Sequence, residues 1–96
     1  MFNSISMPEF DELYRKNKDI HIIDVREDDE FASGHIPGAT SVPLSQFPTE
    51  LDKDKSYYVI CHSGGRSSLA CQQLAQNGYD VTNVMGGMSA WRGETE

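Results

Sequence analysis

Cys61 is followed by His62-Ser63-Gly64-Gly65-Arg66-Ser67, and four residues separate the thiol from the guanidinium. A cysteine attacks as its thiolate, a form favoured by nearby cations and N–H donors. Glycines allow the backbone to curl so that consecutive amides point inward and form an anion-binding nest. A helix starting after the glycines would add unpaired amides and a partial positive charge. Arg66 supplies a permanent cation and His62 a possible second one. Together these features lower the pKa of Cys61 and cradle an anion bonded to its sulfur. A small buried cysteine beside an ordinary strand-to-helix loop is the simpler reading. It carries less weight, because nucleophile, glycines and cation coincide within one loop.

The other chemistry-bearing residues have plainer explanations. Cys71 falls on the apolar face of the helix that follows the loop, with Ala70, Leu74 and Ala75, and reads as a core residue. His62 beside the nucleophile reads as an exposed modulator, since a thiolate held by a nest leaves no proton for a base to remove. His35, between Gly34 and Ile36-Pro37, reads as part of a turn. His35, Cys61, His62 and Cys71 lack the spacing of a zinc site, so neither metal nor organic cofactor is expected. Trp91 is expected to cover the C-terminal edge of the core.

The elements that must position this loop can be read from pattern. Tyr57-Tyr58-Val59-Ile60 is aromatic then β-branched, a buried strand leading into Cys61. Arg66 to Asn77 has helical periodicity, with Gly78 as its stop. Ile20 to Val25 is a second buried strand, ending at Asp24 and Arg26 near where the loop should emerge. Val81 to Met85 is another strand, and Thr40-Ser41-Val42 a short one. Ser6-Met7-Pro8-Glu9 resembles a capping box opening a helix with Phe10, Leu13 and Tyr14 on its apolar face. Glu27 to Ala32, Ser45 to Leu51 and Met88 to Arg92 are expected to be short helical segments. The acidic run Glu27-Asp28-Asp29-Glu30 reads as a solvated helix start. Strands alternating with helices require crossovers, so the fold class is α/β, a small parallel sheet with helices on both faces.

Composition sets limits on partners. Ninety-six residues with 38% hydrophobic and 24% charged content suit one globular domain spanning 1–96. The net charge of −7 argues against nucleic acid or an anionic membrane as partner. From Ser56 to Tyr79 the only formal charge is Arg66, so the loop lies in a carboxylate-free stretch of an acidic chain. There is neither a long apolar run nor a basic leader, and a cytoplasmic protein with two free thiols is expected.

The loop from Cys61 to Ser67 resembles the active-site loop of the rhodanese family, the thiosulfate sulfurtransferases. Asp24-Val25-Arg26-Glu27 is similar to a second pattern of that family. Phe31-Ala32-Ser33-Gly34-His35-Ile36-Pro37-Gly38-Ala39 and Met85-Gly86-Gly87-Met88-Ser89-Ala90-Trp91 are similar to two more, and all four stand in family order. The resemblance implies a single rhodanese-like domain and a two-step transfer. Cys61 takes a sulfane sulfur from a small anionic donor such as thiosulfate, becoming a persulfide. It then passes the sulfur to cyanide or a thiol, with a sulfur-relay protein as a further partner. Residues 62 to 67 would bind the persulfide, Arg66 would position the donor, and Asp24 and Arg26 would pin neighbouring loops. Phosphatases and arsenate reductases of related fold place five residues between Cys and Arg; the four found here favour the smaller sulfur. A non-enzymatic binding module is the other alternative, disfavoured because the cysteine and its glycines are intact.

Overall fold

A computed structural model describes residues 2–96. Five parallel strands form one sheet in the order β1-β5-β4-β2-β3: β1 (Asn3–Ile5), β2 (His21–Asp24), β3 (Thr40–Ser41), β4 (Ser56–Ile60) and β5 (Asp80–Val84). Helices α1 (Met7–Lys16), α2 (Asp28–Ala32), α3 (Gly65–Gln76) and α4 (Gly87–Ala90) connect or follow them. The α/β class and the helices on both faces agree with the sequence reading.

The period-2 alternation of the strands decides which face each side chain serves. Ile23, Val25, Tyr57, Val59, Cys61 and Val81 pack with Ala70, Cys71 and Leu74 of α3 on one face. Ile22, Ile60 and Val84 pack with Phe10 and Tyr14 of α1, and with Trp91, on the other. Trp91 is thus a core residue: its ring meets Tyr14 edge-on at 5.5 Å, and its indole N–H donates to the Glu94 carbonyl at 2.9 Å. Among the described residues, no helix is long and apolar enough to cross a membrane.

Three local readings differ from the structure. Residues Asn3–Ile5 form an edge strand alongside β5, which sequence pattern did not reveal because it is only three residues long and largely exposed. The segment from Ser45 to Leu51 yields a single 3-10 turn over Leu44–Gln46 and no α-helix. Pro43 and Pro48 bracket that turn and leave no room for a longer one. The capping box at Ser6 is half formed: Ser6 Oγ accepts from the Glu9 amide at 3.3 Å. The Glu9 carboxylate, however, takes the Ser6 hydroxyl and not the Ser6 amide.

Candidate active site

Strand β4 delivers Cys61 to the carboxyl edge of the sheet, where open α/β folds bind ligands. Val25 N–H donates to the Ile60 carbonyl at 2.9 Å, so the ends of β2 and β4 are stitched together immediately before the loop. Gly64 turns the chain with φ +109°, a left-handed conformation that suits glycine, and caps the N-terminus of α3. This turn aims the Gly64 amide at the Cys61 Sγ, 3.0 Å away. Ser67, in the first turn of α3, places its Oγ 3.3 Å from the same sulfur. Cys61 is only 1% exposed, whereas His62, Ser63 and Gly65 are exposed, so the sulfur lies beneath the rim of its own loop.

The electrostatics of the sulfur follow from that arrangement. Burial pushes the Cys61 thiol up. Hydrogen bonds from the Ser67 hydroxyl and from the amides of Ser67, Gly64 and Ser63 outweigh it, and the net pKa lies below the ordinary thiol value. A buried sulfur without these donors would behave in the opposite way. Cys71 does so: burial and the nearby Cys61 charge push it up to about 12.

A second pair of glycines supports the loop from behind. At the N-terminus of α4, Met88 N–H donates to the Cys61 carbonyl and Ser89 N–H to the His62 carbonyl, each at 2.8 Å. Gly87 lies against these carbonyls with φ +54°, and a Cβ there would fall on the Cys61 and His62 oxygens. The loop that holds Cys61 therefore rests on backbone contacts that only a glycine permits.

Asp24 and Arg26 are both buried and form one unit. Arg26 Nε and Nη2 donate to the Asp24 carboxylate at 2.8 to 3.1 Å, and the Arg26 amide donates to Asp24 Oδ1 at 3.0 Å. Arg26 Nη2 also donates to the Gly34 carbonyl at 2.8 Å, tying the end of β2 to the segment after α2. Neither side chain hydrogen-bonds Cys61. His35 stacks on Phe31 with 3.7 Å between ring centroids, and its Nδ1 contacts the Phe31 carbonyl at 2.9 Å. His62 stands exposed next to Cys61.

Two residues that pattern reading did not single out belong to the site. Asn83 is buried on the α3-facing side of β5, and its Oδ1 accepts from Ser67 Oγ at 2.5 Å. A polar residue at an inward-facing strand position is the signal that could have found it. Glu30 grips Arg66 through both carboxylate oxygens, Oε1 to Nη1 at 2.6 Å and Oε2 to Nη2 at 2.8 Å. The Glu27 amide donates to Glu30 Oε1 at 3.1 Å and steadies the carboxylate. Arg66 is therefore not the unpartnered cation that its carboxylate-free neighbourhood in the chain suggests. The fold brings α2 across to it. The hydrogen bonds from Arg66 hold the Glu30 carboxyl down at about 2, well below the usual carboxylate range.

The geometry is that of a buried cysteine sulfur in a ring of amide and hydroxyl groups, at a helix N-terminus, with an arginine and its carboxylate partner at the rim. The Rhodanese-like domain family matches residues 6–94. The chain is 43% identical to the putative sulfurtransferase YtwF of Bacillus subtilis, over 96% of this chain and 92% of that protein. It is 37% identical to the thiosulfate sulfurtransferase GlpE of Shewanella oneidensis, over 77% of each chain. The crystal structure of a rhodanese-like domain protein from Staphylococcus aureus superposes with a TM-score of 0.89 at 38% identity, covering 99% of this chain and 97% of that one. With the matched residues running from Ser6 to Glu94 and including every part of the site just described, the chain belongs to the rhodanese-like domain family.

Proposed function

We propose that this protein is a sulfurtransferase that carries a sulfane sulfur as a Cys61 persulfide, from thiosulfate or an organic persulfide to cyanide or a thiol. The observation that carries the reading is the position of Cys61 Sγ, 3.0 Å from the Gly64 amide and 3.3 Å from Ser67 Oγ at the start of α3. These donors favour the thiolate before the donor arrives and would stabilise the negative charge of the persulfide after it leaves.

With thiosulfate, the Cys61 thiolate attacks the outer sulfur. The new S–S bond forms as the old one breaks, and sulfite departs with the bonding pair. With an alkyl persulfide, the same attack releases an alkyl thiolate, which takes up the proton of the transferred sulfur. An acceptor thiolate or cyanide then attacks the outer sulfur of the Cys61 persulfide and restores the Cys61 thiolate. Every step exchanges one S–S bond for an S–S or C–S bond, and no external oxidant or reductant is consumed.

The near-complete burial of Cys61 supports sulfur over phosphate as the group carried, since a single terminal sulfur can reach an atom beneath the loop more readily than a tetrahedral phosphate. The short Cys61-to-Arg66 spacing points the same way. The test is intact mass after incubation with thiosulfate or with an alkyl persulfide. The expected result is a gain of one sulfur atom by the parent protein and none by Cys61→Ser. Failure to gain sulfur from any donor, or hydrolysis of an aryl phosphate at a comparable rate, would overturn the reading.

A further inference from the structure

The Arg66–Glu30 contact bears on which donor the site accepts, an inference that rests on the sulfurtransferase reading. Arg66 follows Gly65 at the start of α3 and immediately precedes Ser67, whose hydroxyl contacts the Cys61 sulfur. The Cys61 charge lies close enough to help keep the guanidinium protonated. This guanidinium is the nearest formal cation along the chain for a donor to use, and the contact with Glu30 engages both of its terminal nitrogens. Glu30 is itself fixed, because the Glu27 amide holds Oε1 while Glu27 Oε1 accepts the Ser45 hydroxyl at 2.7 Å. The rim of the site thus carries a neutralised pair, in a chain of net charge −7.

A dianion such as thiosulfate would meet this pair differently from a donor of low charge. Its sulfonate oxygens compete with the Glu30 carboxylate for the same N–H groups, and its charge is repelled by that carboxylate. An organic persulfide, with a single terminal sulfur to present, needs only the Gly64 and Ser67 donors around Sγ. We propose that Glu30 is a specificity-determining residue: by occupying Arg66 it weakens the binding of small dianionic donors and biases the site toward persulfides of low charge.

The test compares thiosulfate and an alkyl persulfide in the full chain, by sulfite release and thiol release respectively. In Glu30→Gln the ratio of kcat/KM for thiosulfate to that for the alkyl persulfide should rise about threefold to tenfold, mainly through a lower KM for thiosulfate. Glu30→Asp, too short to keep both contacts, should shift the ratio in the same direction by less. In an Arg66→Ala background, Glu30→Gln should raise the ratio by less than in the parent, because only the carboxylate's repulsion is left to relieve and there is no guanidinium to release. A carboxylate that merely ties α2 to α3 would lower the thermal midpoint and scale both donors together, and that outcome would overturn the proposal. So would an unchanged or higher KM for thiosulfate in Glu30→Gln. A parent protein that gains no sulfur from either donor defeats the sulfurtransferase reading itself. A parent that loads normally, with a ratio insensitive to Glu30, defeats only the role of Glu30.

Discussion

Cys61 and Cys71 are two free thiols on the same face of the same sheet, 1% and 0% exposed, yet their acidities move in opposite directions. Burial acts on both alike, since a low-polarity surrounding disfavours the charged form. What differs is the supply of donors. Cys61 sits where β4 ends and α3 begins, and amides that a helix start leaves unpaired can turn toward the sulfur. Cys71 lies inside α3, where the surrounding amides are already engaged by carbonyls one turn back. A buried sulfur gains donors, and with them a lowered pKa, through its place at a helix terminus. The largest expected effect follows directly: Cys61→Ser should abolish transfer from thiosulfate to cyanide, while Cys71→Ser should keep most of it. Equal loss in both variants, with the fold intact by circular dichroism, would break the comparison.

Gly87 offers a way to damage one thiol's surroundings and spare the other's. An alanine there must adopt a left-handed φ, and its Cβ meets the Cys61 and His62 carbonyl oxygens. Either α4 or the Cys61 loop has to shift. Gly87→Ala should therefore destabilise the protein by about 2–4 kcal/mol, measured by urea unfolding. At temperatures where the variant remains folded, it should slow persulfide formation more than tenfold. Cys71, within α3, should keep its resistance to alkylation in the folded state. Transfer at the parent rate would show that the loop does not depend on its support from α4.

The two thiols also show what a sequence can convey about a site. The donor environment of Cys61 was legible because every part of it is local: the β4 strand, the two glycines and the helix start lie within one short span. Cys71 was legible as core because its helical neighbours Ala70 and Leu74 share its face. The fold class and the strand-helix alternation were legible for the same reason, since periodicity is a local property. Contacts made across the fold were not. Glu30 reads as one carboxylate in a solvated acidic run, and only the packing of α2 beside α3 turns it toward Arg66. The dependence of Cys61 on Gly87 is likewise a product of tertiary approach, although the Gly86-Gly87 pair marked its place. Edge strand β1 was not legible because three largely exposed residues carry too little alternation to register.

The raised pKa of Cys71 makes stability depend on pH in a predictable direction. In the folded chain Cys71 keeps its proton up to about pH 12, whereas the unfolded thiol releases it near 9.0. Between those values the unfolded state binds fewer protons, so stability falls as pH rises. The loss should approach about 1.4 kcal/mol per pH unit at most from this one group. Cys61 has the opposite sign: its lowered pKa adds stability as pH climbs from its folded value to the unfolded one, and nothing further above that. Urea midpoints taken between about pH 8 and about pH 11 should decline less steeply in Cys71→Ala than in the parent. Tyr14, whose phenol is also pushed up by burial, titrates equally in both proteins and cancels from the difference. Parallel slopes would mean that Cys71 ionises as freely in the folded state as in the unfolded one.

The smallest effect isolates a single donor to Cys61. Ser67 is fully buried, and its hydroxyl has one proton to share among the Cys61 sulfur at 3.3 Å, the Gly64 carbonyl at 3.1 Å and Asn83 Oδ1 at 2.5 Å. Once Cys61 ionises, the sulfur becomes the most demanding of the three acceptors, because a hydrogen bond to a charged partner is the stronger one. Ser67→Ala removes that donor and leaves the amides of Gly64, Ser63 and residue 67 in place. The Cys61 pKa should rise toward the ordinary thiol value by less than the whole of its depression. Alkylation by iodoacetamide near neutral pH should slow about threefold to tenfold, with the pH profile displaced upward. The full rate should return at high pH, where both proteins are thiolate. A rate depressed equally at every pH would mean that Ser67 shapes access to the sulfur and not its charge. A profile that does not move would assign the whole difference between the two thiols to the backbone amides.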